Sequence, residues 1–123
     1  MQKYWVNVIP KERVLSAVEE VIMQSQGIEA HLNRMKKDDW VVFYSPREDE
    51  GGDIKLQTFT AIGQVADETI NRVENSSFTK VFKRKMNYSE VKEVPLIPLI
   101  QKLAFIRNKK HWGSVFKMSL IQI

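Results

Sequence analysis

The chain has 123 residues, 43% hydrophobic and 28% charged, and its 19 Lys and Arg against 15 Asp and Glu leave a net charge of +4. That size and composition suit one globular domain, residues 1–123, with a core large enough to fold without a staple. The absence of cysteine excludes disulfides, thiolate metal sites and a Cys nucleophile, and no stretch resembles a signal peptide or a membrane span, so a soluble, cytoplasmic protein is expected.

Tyr4 to Ile9 alternates, with Tyr4, Val6 and Val8 on one face and Trp5, Asn7 and Ile9 on the other, and reads as a strand ended by Pro10. From Lys11 to about Met23, the recurrence of Val14, Leu15, Val18, Val21 and Ile22 predicts an amphipathic helix, with Gly27 as its stop or the turn beyond it. Residues 28–37 read as a loop or short helix. The run Trp40-Val41-Val42-Phe43-Tyr44 is the best candidate for a buried strand, and Ser45-Pro46 breaks it. The acidic segment around Gly51-Gly52 suits a solvated hairpin connection. The chain returns through Ile54 to Val65, with Gly63 marking a bulge or a close backbone approach.

Residues 67–79 read as an extended connection, and Lys80 to Tyr88 alternates again as a strand. Val91 to Val94 is a short strand, Pro95 and Pro98 bracket a turn, and Leu99 to Ile106 is a short helix with Leu99, Leu103 and Ile106 inward. A final strand, Val115 to Ile123, sets Phe116, Met118 and Leu120 against Lys117 and Ser119. Without long crossover helices, this pattern predicts a small barrel or curled sheet rather than a doubly wound fold. Trp40, Val42, Phe59, Ile62 and Phe116 are expected in its core.

The chemistry is sparse. His31 and His111 have no ligand partner at a recognised spacing, and there is no Gly-rich phosphate loop, nucleophile elbow or dinucleotide fingerprint, so neither metal nor cofactor is expected. His111, beside Trp112, reads as a surface or pocket-rim residue. The adjacent acids Asp38-Asp39 and Asp67-Glu68 suit solvation or capping better than acid/base work. Trp5 and Asn7, on one strand face, offer a stacking surface beside an amide that can read a base edge. Spacing alone is also served, and better, by Trp5 in the core and Asn7 as a loop cap. Basic clusters at Arg34, Lys36 and Lys37, at Lys80, Lys83, Arg84 and Lys85, and at Arg107, Lys109 and Lys110 suit phosphates if the fold joins them, and ordinary solvated surface if it does not.

Taken in order, Tyr4-Trp5-Val6-Asn7-Val8, Arg34-Met35-Lys36, Asp39-Trp40-Val41-Val42-Phe43-Tyr44-Ser45-Pro46, Phe59-Thr60-Ala61-Ile62-Gly63-Gln64-Val65, Pro98-Leu99-Ile100 and Trp112-Gly113 resemble the EVE domain family. This family is a branch of the PUA-like superfamily, related to the YTH readers of methylated adenine. The resemblance implies an α+β, PUA-like small mixed β-barrel with short peripheral helices and a pocket for a nucleobase. It places Trp5, Asn7, Tyr44, Ser45 and Pro46 near that pocket. One departure stands out: where the family carries His-Gly-Lys, this chain has Gln26-Gly27-Ile28, which leaves Gln26 as a pocket-rim candidate.

The expectation is a non-enzymatic module binding a modified base in DNA or RNA. Trp5 would stack, Asn7 and Ser45 would meet the base edge, and Arg34, Lys36, Lys83, Arg84 and Lys109 would meet phosphates. The alternatives are an RNA-binding accessory protein that reads shape and phosphate, and an enzyme on a nucleotide-like small molecule using groups such as Asp39 and Ser45.

Overall fold

In a computed structural model of the protein, which describes residues 2–26, 32–68, 70–74, 80–117 and 119–123, the first strand expected from alternation forms as β1 (Tyr4–Val8). Gly27, His31 and Met118 lie outside those residues, as do the side chains of Gln24 to Gln26. Helix α1 (Lys11–Glu20) follows, with Pro10 at its N-cap and Glu12 in the first turn, where a carboxylate complements the helix dipole.

The helix ends earlier than periodicity predicts. Val21 closes it in the left-handed region, at φ 58° and ψ 38°, with its N–H on the carbonyls of Ala17 and Val18. The chain then turns into β2 (Ile22–Gln26). A β-branched residue pays a steric cost there that glycine does not; Val21 is held because Met86 N donates to its carbonyl at 2.9 Å. Val21→Gly is expected to raise stability by about 1 kcal/mol, the left-handed penalty less the extra chain entropy of glycine. A urea midpoint that falls with an unchanged slope would contradict this.

The remaining strands are β3 (Trp40–Arg47), β4 (Lys55–Val65), β5 (Asn71–Glu74), β6 (Lys80–Ser89), β7 (Val94–Pro95) and β8 (Leu120–Gln122). They make a mixed sheet in the order β2-β6-β4-β3-β1-β8, with β5 beside β6 and β7 beside β4. Strands β1 and β3 run parallel and every other pair runs antiparallel. Strand β6 changes partners along its length: Met86 to Ser89 pair with β4, while Val81 to Lys85 pair with β2. That switch curls the sheet into a half-barrel, as the sequence pattern anticipates.

Register shifts between Phe43 and Tyr44, where Thr60 is skipped, and between Ser45 and Arg47 place the β3–β4 irregularities there and not at Gly63. Gly63 serves the other expected purpose. It pairs with Tyr88, and a Cβ at this position would lie 2.8 Å from that ring.

Each face of the sheet has its own core. Trp5, Val41, Phe43, Ala61, Val65 and Leu120 join Val14 of α1, Met23 of β2, Phe82 and Met86 of β6, and Leu32 and Met35 on one face. On the other, Val6 and Tyr44 pack with Leu96, Ile100 and Ile106 from the segment after β7. The expected core residues sit differently: Phe59 and Phe116 are half-buried against this second cluster. Trp40, Val42 and Ile62 instead line an open apolar groove of about 570 Å³ with Tyr4, Phe105 and Ile123. The segment that covers the second face reaches Val6 and Tyr44 but leaves this end of the strands uncovered.

Other local readings also shift. The extended connection contains β5, and the helix expected at 99–106 is a 3-10 turn at Ile97–Leu99 followed by turns that still bury Ile106. Residues Trp112–Lys117 are 3-10 helix, so the strand expected from Val115 forms only as the short β8.

Candidate nucleic-acid interface

Asp39, at the entry to β3, organises the start of the sheet. Its Oδ1 accepts the backbone N–H of Lys3 at 2.9 Å, and its Oδ2 accepts Lys36 N and Trp5 Nε1 at 3.0 Å each. Burial pushes its carboxyl up, but the hydrogen bonds from Lys36, Lys3 and Trp5 outweigh this and hold it below the usual carboxylate range. The turn carrying Arg34 and Lys36 is thereby tied to β1, and the Arg34 guanidinium lies 5.0 Å from the centre of the Trp5 ring.

Trp5 is consequently not an open stacking face. It is 2% exposed, packed in the first core and covered by Arg34. Nor do the expected pocket residues converge. Tyr44 lies across the sheet from Trp5, against Phe59 and Phe116 at ring distances of 5.5 and 4.4 Å, and burial pushes its phenol up to about 12. Ser45 is fully buried and shares a 2.8 Å hydrogen bond with the Thr60 hydroxyl, while Pro46 is half-buried on the same strand. Gln26 is placed through its backbone, which pairs with Val81.

Asn7 stands apart from this group. It is 8% exposed, and its Nδ2 donates to Ser119 O at 2.8 Å, which fixes the amide's orientation. Among the described residues no hydrogen bond reaches its Oδ1. With Ile9, Arg13, Ala17, Met23 and Phe43 it lines a cleft between β1, α1, β2 and β3. Arg13 is partly exposed and among the described residues makes a single ion pair, at 4.0 Å with Glu50, so its guanidinium is accessible to another partner. The cleft encloses about 10 Å³, room for at most one water. A base enters only if α1 and β2 move apart.

The basic residues divide. Arg34, Lys36, Lys37, Lys85, Arg107 and Lys110 are exposed, and Lys83 is half-buried. Lys109 donates to Leu103 O at 2.6 Å. Arg84, expected to meet phosphate, is instead buried between Phe82 and Met86 on the inward side of β6. Its Nε donates to Asp67 Oδ1 at 2.7 Å, Nη1 to the carbonyls of Leu32 and Met35, and Nη2 to Asp67 O. Alternation along Phe82-Arg84-Met86 carried this signal, because a charge in step with apolar neighbours points inward. Arg13 and Met23 carried none, since their meeting with Asn7 depends on how α1 and β2 fold back.

The sequence pattern of the EVE domain matches residues 3–123. The chain belongs to the EVE domain family. Within it, the chain is 38% identical to a UPF0310 protein of Bacillus licheniformis over 92% of its own length and 78% of that relative's. It is 36% identical to a UPF0310 protein of Mycolicibacterium gilvum, over 97% and 85% of the two chains. The fold resembles the NMR structure of Rpa0253 from Rhodopseudomonas palustris, with a TM-score of 0.53 at 16% identity, covering 98% of this chain and 84% of that one. These relationships support the PUA-like α+β architecture of this EVE domain.

His111 is exposed, and no group of three His, Asp or Glu among the described residues is placed to hold a metal. No helix among them is long and apolar enough to cross a membrane.

Proposed function

We propose that this EVE domain, acting as one unit, binds a nucleobase of DNA or RNA without catalysis, and that the base is a modified one read by Asn7. The observation that carries the proposal is the Asn7 amide: one end is fixed by Ser119 O, and the other accepts no hydrogen bond among the described residues, in a largely apolar cleft with Arg13 at hand. An oriented amide beside apolar walls is what edge recognition needs, and a guanidinium serves the adjoining phosphate. Trp5, buried with its N–H on Asp39, does not take the stacking role expected of it. Gln26 remains a candidate for the rim, and Arg34 and Lys36 for phosphate. A binding role is further supported because Asp39 and Asp67, members of the two acid pairs, are held in structural hydrogen bonds.

The test is titration of short oligonucleotides, modified and unmodified, across salt concentrations. Affinity should fall as salt rises, with a slope set by the phosphates contacted. Asn7→Ala, checked by thermal melting for fold, should reduce discrimination between bases by about five- to 150-fold, the 1–3 kcal/mol of an edge contact. Salt-dependent binding that ignores modification would favour the shape-and-phosphate reading. No binding to any oligonucleotide would end both.

A further inference from the structure

Helix α1 departs from its amphipathic expectation in one respect with functional consequences. Val14 and Ala17 are buried, but Leu15 is 58% exposed and Val18 also reaches solvent. Both line a groove of about 570 Å³ between the helix, β4 and the end of β6. Across from them stand Tyr88 and Val91, and Val91 is 52% exposed. Apolar side chains gathered at a concave surface, instead of scattered singly, mark a binding site. The volume lies within the range of small-molecule sites.

The groove's charge selects its occupant. Glu19 and Glu90 line it, neither is ion-paired among the described residues, and no Lys or Arg belongs to its lining. In a chain of net charge +4 this is a local reversal of sign. Ser89 and Thr60 add hydroxyls to the lining. The Tyr88 ring is held in place by its Oη, which donates to Ile22 O at 2.6 Å, and by its close approach to Gly63. A fixed aromatic ring beside carboxylates attracts a cation through both its quadrupole and their charge. The same two carboxylates disfavour a phosphate at this lining.

We infer that the α1–β6 groove binds a small organic cation: an ammonium or guanidinium group on an apolar stem, with the charge between Glu19 and Glu90 and the stem against Leu15, Val18 and Val91. The experiment records methyl NMR spectra of the full chain during titration with phenethylammonium, its neutral analogue phenethyl alcohol, and the anion hydrocinnamate. Phenethylammonium should shift the Leu15, Val18 and Val91 methyl signals saturably, while the neutral and anionic probes bind more weakly by about tenfold or more, the contribution of a charge and cation–π contact. The double variant Glu19→Gln, Glu90→Gln, altered only at exposed positions, should lose the same factor for the cation and leave phenethyl alcohol unaffected. Equal binding of cation and alcohol, an unchanged affinity in the double variant, or no shift with any probe would each overturn the inference. Oligonucleotide binding should be preserved in the double variant, which keeps this result distinct from the base-binding reading.

Discussion

Arg84→Met is expected to destabilise the protein by about 3–5 kcal/mol, the cost of leaving a buried ion pair with one partner. Arg84 is 2% exposed, and it joins three parts of the chain: β6 itself, Asp67 after β4, and the carbonyls of Leu32 and Met35. A methionine of similar length fills the space but donates nothing, so Asp67 Oδ1 and the carbonyls of Asp67 and Met35 lose a donor, while Asp67 Oδ2 keeps Lys85 N and Leu32 O keeps only the 3.4 Å bond from Met35 N. Arg84→Lys restores the charge without the fork and should recover only part of the loss, because one ammonium cannot span the separate acceptors. Against a total stability of roughly 5–15 kcal/mol for a domain of this size, the methionine variant approaches the unfolding threshold at physiological temperature. Urea unfolding decides the matter. A loss below about 1 kcal/mol, combined with weaker oligonucleotide binding, would return Arg84 to the phosphate-contact role that its position in a basic run first suggests.

Why the sequence misleads at Arg84 and not at β1 or β3 has a physical basis. Strands β1, β3, β4 and β6 are written in alternation and apolar density, which act locally, and they form close to where those patterns place them, although β3 runs on through Ser45 and Pro46, the expected break, to Arg47. The end of α1 is not written locally. Val21 has no intrinsic reason to adopt a left-handed conformation, and it does so because Met86 N reaches its carbonyl from β6, a contact made across the fold. Helical periodicity therefore runs on past the true end, and β2, which begins one residue later, is absorbed into the predicted helix.

The candidate site shows the same division. Alternation correctly sets Trp5 and Asn7 on one face, but it is silent about depth. Depth comes from Arg34 above the Trp5 ring and Asp39 beside its N–H, both brought in from more than twenty residues away. Tyr44 and Ser45 follow Trp5 in motif order, yet Tyr44 belongs to the other face of the sheet, because the parallel pairing of β1 with β3 puts Trp5 level with Val41 and Val6 level with Val42. Motif order records which residues a fold keeps; register decides which of them meet.

Asp39 is the second position where a large effect is expected. Asp39→Asn removes the negative charge and turns half of the acceptor into a donor, so Lys36 N and Trp5 Nε1 can keep only a neutral oxygen while Lys3 N faces an NH2, or the reverse if the amide flips. Hydrogen bonds to a charged acceptor contribute about 1.5–3 kcal/mol each, and orphaned buried donors cost a further share, so a loss of about 3 kcal/mol is expected. The pH dependence identifies the cause. The Asp39 carboxyl is held below its usual range in the folded state, so its contribution is complete above the unfolded value of about 4 and is lost as pH falls through the lower folded value. The wild-type protein should therefore lose stability on acidification below about pH 4, while Asp39→Asn, already without that contribution, should show a flatter acid limb. Trp5 supplies a local readout, because an indole N–H released from its carboxylate and a ring freed from Arg34 should shift its fluorescence. If the asparagine variant keeps both the acid limb and the neutral-pH stability of the wild type, Asp39 is not the tie that fixes the Arg34 turn to the start of the sheet.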